Sequence, residues 1–233
     1  DNSGSLGGGV SSADGTQGIA VLLSGGGNSL LLRAGSSITG AVISSSGTGV
    51  GGDSLILGGD VDAVGGNTFD IGSVFGFASH RKSGASTWTL SGNGSAAQTW
   101  SITGGTLVGD SSSLVGNIDD GAALVFDQAS DGNYAGLVSG AGSLTKTGTG
   151  TLTLSGANSY SGGTFINAGT LSVAADGNLG DSSGAVSIEN ATLQAGASFS
   201  SSRAIEITNS VAFRPHAAYL PGHSCANLGL TGA

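Results

Sequence analysis

The run KTGTGTLTLSG at residues 146–156 repeats, with substitutions, the run KSGASTWTLSG at 82–92. The offset is 64 residues without a gap, and it also carries Ile102 onto Ile166, Gly105-Thr106-Leu107 onto Gly169-Thr170-Leu171 and Gly116 onto Gly180. Within the match, Trp88 and Leu90 fall where Leu152 and Leu154 fall, while Thr87 and Thr89 fall where Thr151 and Thr153 fall. That is a strand alternation, because successive side chains of a strand point to opposite faces. A repeating unit of this length divides into about three coils of roughly twenty-one residues, a solenoid period.

Outward from this pair, the same short alternating runs recur. They include SLLL at 29–32, AVI at 41–43, SLIL at 54–57, AVSI at 185–188 and AIEI at 204–207. Between them lie turn-forming clusters such as GGGN at 25–28, GGD at 58–60 and ADGN at 175–178. Each strand is too short to bury a core alone, so stacking of successive coils must supply one. The expected fold is all-β: a right-handed parallel β-helix of roughly ten coils without substantial helix. Aliphatic residues should form inward columns, Thr and Ser should face outward, and Gly and Asn should take the corners.

Composition agrees. Of 233 residues, 46 are Gly, only 9% are charged and 38% are hydrophobic. So much glycine excludes a helical bundle, and the scarcity of charge argues against disorder. Two prolines and no three-residue glycine period exclude collagen. The net charge of −9, with Arg81-Lys82 the one adjacent basic pair, argues against a nucleic-acid partner. The single Cys225 allows no internal disulfide. The N-terminal DNSGSLGGGV has neither the basic nor the apolar region of a signal peptide, so a mature or excised segment is expected.

Residues 142–173 resemble the passenger-associated repeat of bacterial autotransporters, the type V secreted proteins. The resemblance rests on Leu144, Lys146, Gly148, Gly150, Leu152, Leu154, Ser155-Gly156, Asn158, Tyr160-Ser161-Gly162-Gly163-Thr164 and Gly169-Thr170-Leu171. Residues 82–116 look like a diverged copy of the unit at 146–180, with Trp88 in place of a Leu and the Tyr-Ser-Gly-Gly step lost. The resemblance implies a surface-exposed or secreted adhesive or structural passenger, carried by a C-terminal outer-membrane β-barrel of the parent protein, whose repeats assist secretion and folding. A solenoid suits that route because it folds progressively through nearest-neighbour contacts. Residues 1–211 are expected to be such a passenger fragment. Residues 212–233 carry both prolines, Cys225 and two of the three His, and are expected to be an atypical tail, loop or reading-frame artefact.

Candidate chemistry is sparse. Gly49–Leu55 approximates a calcium-binding nonapeptide around Asp53, but Thr48 replaces its first Gly and the nearby Asp60 and Asp62 lack the spacing of a second copy. A solvated turn is the expectation there. Gly47–Gly52 meets a dinucleotide-binding glycine pattern, yet no helix should follow it. Asp119-Asp120, Asp127 and Asp131 form the densest acidic group, near Tyr134. They would serve the alternative reading, a polysaccharide lyase or hydrolase, only if their carboxylates converged, and Gly121 suggests a turn at the Asp pair instead. Arg33, Arg203 and the two lysines are scattered, and His80, His216, His223 and Cys225 do not make a four-ligand metal set. Trp88 and Trp100 share strand parity with Leu90 and Ile102, so they should fill the core rather than stack on a carbohydrate. Asn93-Gly94-Ser95 and Asn190-Ala191-Thr192 are formal glycosylation sequons without consequence in a bacterial protein. No catalytic, cofactor or metal residue is therefore expected. Expected contacts are the barrel, host or neighbouring cells, and other copies of the chain end to end.

Overall fold

The computed structural model describes residues 2, 4–49, 51–95, 98–208 and 212–214, the last three by their backbone alone. The described chain is an all-parallel β-solenoid of about nine turns, one fewer than the ten the spacing suggests. It comprises two compact units, one of residues 1–108 and 112–116, the other of residues 109–111 and 117–233.

In the first unit, Ser29–Leu32, Ser54–Leu57, Ser79–Lys82 and Trp100–Ile102 stack in that order as parallel strands. Asn67–Asp70, Thr87–Ser91 and Thr106–Gly109 form a second parallel stack. Ile19–Leu23, Ala41–Ser44 and Val74–Phe75 form a third, and Ser5–Gly7 pairs with Ser37–Thr39. The alternation builds the core directly. Leu30, Leu55, His80 and Trp100 make one inward column, and Leu32, Leu57, Lys82 and Ile102 make another. Their neighbours in sequence face outward, where the Ser54 and Ser79 hydroxyls meet at 2.8 Å.

In the second unit, Ala123–Asp127, Ser143–Thr147, Thr164–Ile166, Val186–Glu189 and Ile205–Thr208 make one stack. Gly132–Tyr134, Thr151–Leu154, Thr170–Val173, Thr192–Ala195 and Ala212–Arg214 make another. Ile118–Asp120 pairs with Val138–Ser139. Leu152, Leu171 and Leu193 lie one above another and are buried. Each such side chain contributes about 1.5–3 kcal/mol by leaving water. Thr151, Thr170 and Thr192 form the matching outward column.

The alternating runs picked out in the sequence lie on strands, save Ala185 and Ala204, which immediately precede theirs. One turn assignment is refined: ADGN at 175–178 enters a single 3₁₀ turn, Asp176–Leu179, because Asn178 Oδ1 accepts the backbone N–H groups of Ala174 and Ala175 at 3.0 and 2.8 Å and tightens the corner. Parallel pairing runs on to Ala212–Arg214. The remainder of the C-terminal segment, with His216, His223 and Cys225, lies outside the described residues.

Candidate functional site: the corner clamps of the repeat

Lys82 and Lys146, equivalent in the two copies, are both fully buried. Strand parity puts them there: Lys146 shares the inward face with Leu144, and Lys82 with His80. A buried ammonium is costly unless its three donors are satisfied, and both amines meet that demand in the same way. Lys82 Nζ donates to the carbonyl oxygens of Ser83, Gly84 and Gly104 at 3.0, 3.0 and 2.9 Å. Lys146 Nζ donates to those of Thr147, Gly148 and Ala168 at 2.5, 2.8 and 3.3 Å. Two acceptors belong to the lysine's own corner and the third to the corner one coil further on. Burial pushes both amines below the usual lysine range, opposed by Asp62 and Asp60 at Lys82 and by Asp127 at Lys146.

The glycines of the motif make room for this clamp. Gly105 and Gly169 adopt φ of +67° and +65°. A Cβ on Gly105 would stand 2.6 Å from Lys82 Nζ, and one on Gly169 would stand 2.5 Å from the Gly148 carbonyl. Each copy thus encodes two adjoining coils. Lys82 pairs with Ile102 and Trp88 with Leu107 in the first, and Lys146 pairs with Ile166 and Leu152 with Leu171 in the second.

The remaining motif residues close the other corners of the second copy. Asn158 Oδ1 accepts the Val138 N–H at 2.8 Å, and its Nδ2 donates to the Asn178 carbonyl at 2.6 Å. Asn178 Nδ2 in turn donates to the Gly156 carbonyl at 2.8 Å. The Tyr160 hydroxyl meets Thr164 Oγ1 at 2.7 Å in the core, where burial pushes the phenol up to about 12. Arg203, also buried, is a third clamp. Its Nη1 donates to the carbonyls of Leu179, Asp181 and Gly184, and its Nη2 to those of Asp176 and Gly180. Its Nε and Nη2 also grip the Asp176 carboxylate at 2.8 and 2.9 Å, and that hydrogen bonding holds Asp176 below the usual carboxylate range.

The acidic group does not converge. Asp119-Asp120 is not a turn but lies on the strand Ile118–Asp120, whose parity sends Asp119 outward and Asp120 into the core. Pairing with Val138–Ser139 overrides the turn preference of the flanking glycine. Burial pushes Asp120 up to about 6; the Ala122 N–H opposes this and Asp119 adds to it. Asp127 accepts from the Thr147 hydroxyl at 3.0 Å and Asp131 from the Thr151 N–H at 2.7 Å, both on the outside. Tyr134 packs in the core against Phe126, ring centroids 4.9 Å apart.

Asp53 is buried rather than solvated. It accepts from the Asn28 N–H at 2.8 Å, Asn28 Nδ2 at 2.9 Å and the Ser44 hydroxyl at 2.9 Å. Burial works to raise its pKa, and these bonds outweigh it, so the carboxyl stays below its usual range. Asp62 accepts from the Thr87 N–H and Asn67 Nδ2 at 2.6 and 3.0 Å. Both tryptophans are buried, and Trp88 Nε1 donates to the Gly58 carbonyl at 3.0 Å. Among the described residues no three His, Cys, Asp or Glu side chains gather as a metal set, and no helix is long and apolar enough to cross a membrane.

The buried clamps escaped the sequence reading because lysine and arginine are ordinarily surface residues. The signal was present in the parity of Lys146 with Leu144 and in the recurrence of a lysine at the same repeat position.

A parallel β-solenoid whose corners are locked by buried cations is the class that these observations define. Residues 81–108 and 144–173, the stretches that hold the two lysine clamps, match the family Passenger-associated-transport-repeat. Over 72 residues the chain is 39% identical to the adhesin BmaC autotransporter of Brucella suis biovar 1 (strain 1330). That stretch is 31% of this chain and 2% of the adhesin's length. No solved structure matches the chain.

Proposed function

We propose that this chain is an adhesive, structural segment of an autotransporter passenger, a β-helical stalk exposed on the bacterial surface or secreted. The observation that carries the reading is the lysine clamp: in both family-matching stretches a buried ammonium ties one coil to the next. Cohesion of that kind depends only on adjoining coils, so it can form stepwise on a chain leaving a pore. Similarity to a Brucella adhesin supports a role in contact between cells. The implied partner is an outer-membrane β-barrel of the parent protein. We further propose that the chain is not an enzyme. In support, Asp119, Asp127 and Asp131 lie on the outside while Asp120 is buried, so this acidic group does not converge as the carboxylate pair of glycoside chemistry does.

The test is display and adhesion of the parent protein. Intact bacteria should expose this segment to added protease and should bind epithelial monolayers better than bacteria deleted for it. The paired substitution Lys82→Met and Lys146→Met should lower display several-fold. Retention of the segment inside the cell, or full adhesion after its deletion, would overturn the reading.

A further inference from the structure

Three successive strands of the first unit turn large apolar side chains to solvent. In the stack Ile19–Leu23, Ala41–Ser44 and Val74–Phe75, Leu22 is in register with Ile43 and Ile43 with Phe75. Val42 and Val74 are buried on the inward side. Parity therefore sends Leu22, Ile43 and Phe75 outward as a ladder with rungs about 4.8 Å apart. Leu22 is 60% exposed and Phe75 53%, with Ile43 partly exposed between them. The register shift between Ile19 and Val21 brings Ile19, itself exposed, onto the same face beside Ala41. Phe75 also edges a cavity of about 110 Å³, lined by Thr48 and Gln98 among others, which leaves its ring without a neighbour on that side.

In the second unit the outward column of Thr151, Thr170 and Thr192 carries hydroxyls instead. A wall that had only to stay in water would carry them here too. Ile19, Leu22, Ile43 and Phe75 together leave on the order of 400 Å² of contiguous apolar surface in water, a patch of the size that marks interaction sites.

Charge selects the occupant. The three strands hold no Asp, Glu, Lys or Arg, and Gly18, Ser24, Gly40 and Ser45 flank them. The chain carries a net charge of −9, so two copies repel each other over most of their surface, and this face lets them meet without burying an unpaired charge. A strongly charged partner finds no counter-charge on it. The ladder is also self-complementary. Turned about a two-fold axis through Ile43, it sets Leu22 of one copy against Phe75 of the other and Ile43 against Ile43. We propose that this face pairs side to side with the same face of a second copy, as two sheets packed about 10 Å apart. Two such patches bury about 800 Å², short of the roughly 1,200–2,000 Å² of stable complexes, so the pairing is weak and takes hold where chains are crowded.

Sedimentation equilibrium of the purified chain tests it, with Cys225→Ser as background to exclude intermolecular disulfides. A dimer with Kd on the order of 100 μM is expected. Ile43→Asp and Ile43→Lys should each raise Kd at least about tenfold with an unchanged circular dichroism spectrum. An equimolar mixture of the two should pair again, because only a dyad at residue 43 brings those charges together. Phe75→Ser, at a more exposed rung, should weaken pairing as much. Val64→Asp, at an exposed valine outside this stack, should change nothing. Association that survives Ile43→Asp is end-to-end contact and refutes the proposal, as does a mixture that fails to pair. A chain that stays monomeric at millimolar concentration also refutes it, and co-sedimentation of that monomer with phosphatidylcholine vesicles would assign the face to lipid. The measurement involves no adhesion, so its failure leaves the stalk reading in place.

Discussion

In the second unit Leu152 stacks on Leu171 and Leu171 on Leu193, steps of nineteen and twenty-two residues. In the first, Leu30 stacks on Leu55 and Leu55 on His80, steps of twenty-five, and Val42 reaches Val74 only after thirty-two. The same parallel pairing therefore tolerates very different coil lengths, because strands need register only where they pair and surplus residues leave as loops. What differs is the finish of the interior. Aliphatic columns and saturated corners dominate the second unit. The first holds both tryptophans, a buried histidine packed against Phe77 and Trp100, and a cavity. The regular columns belong to the second copy of the motif, while the diverged copy at 82–116 carries both tryptophans.

The largest expected effect that sharpens this contrast is at Arg203. Arg203→Ala leaves the Asp176 carboxylate and five carbonyls, three of them in buried bonds, without their donor, so a loss of about 3–5 kcal/mol is expected. Amide exchange should accelerate across Val186–Glu189 and Ile205–Thr208 and stay unchanged in Ser54–Leu57. Equal acceleration in both units would show that they do not unfold separately.

Lys146→Met and Lys82→Met come next. Each removes a charged donor from three carbonyls and should cost about 2–3 kcal/mol, read as a lower urea midpoint. Similar losses are expected because the geometry is shared. A clear loss at one lysine and none at the other would break the equivalence of the two copies.

Acidification should move the units in opposite directions. His80 has a folded pKa lowered to about 4 from 6.5, so the unfolded chain takes up its proton first. The first unit accordingly loses stability as pH falls through that interval, on the order of 3 kcal/mol over the full range. Asp120 has a folded pKa raised to about 6 from 3.8, so the folded chain takes up its proton first. The second unit gains stability between those values, until Asp176, held low by Arg203, is also protonated. The chain's two tryptophans both lie in the first unit, so their fluorescence during urea unfolding at pH 7 and pH 5 reports that half. Amide exchange corrected for intrinsic rate reports the other. His80→Leu should flatten the first response and Asp120→Asn the second; responses of the same sign would refute the contrast.

The smallest effect is expected at Asp127. It is exposed and bonds the Thr147 hydroxyl from outside, so Asp127→Ala should shift stability by less than about 0.5 kcal/mol. A larger change would mean that Lys146 depends on its charge.

The parallel coils were readable from alternation and from the recurrence of Lys, Leu and Gly at one offset, since both are direct consequences of pairing. Inward Lys82, Lys146 and Asp120 were masked by residue type. Their parity pointed to the core, but ordinary preferences for charge on the surface and turns beside glycine pointed away. The cavity was not legible at all. Thr48, Phe75 and Gln98 come from separate stretches, and neither spacing nor composition brings them together.

Because each lysine finishes its set of acceptors only on the neighbouring coil, a lone coil is left with an under-served ammonium. Assembly is therefore quantised: the chain gains its hold in whole increments and resists slipping back between them. A polypeptide built this way behaves as a pawl and rack, in which thermal motion supplies each step and the free energy of the newly formed clamp holds it.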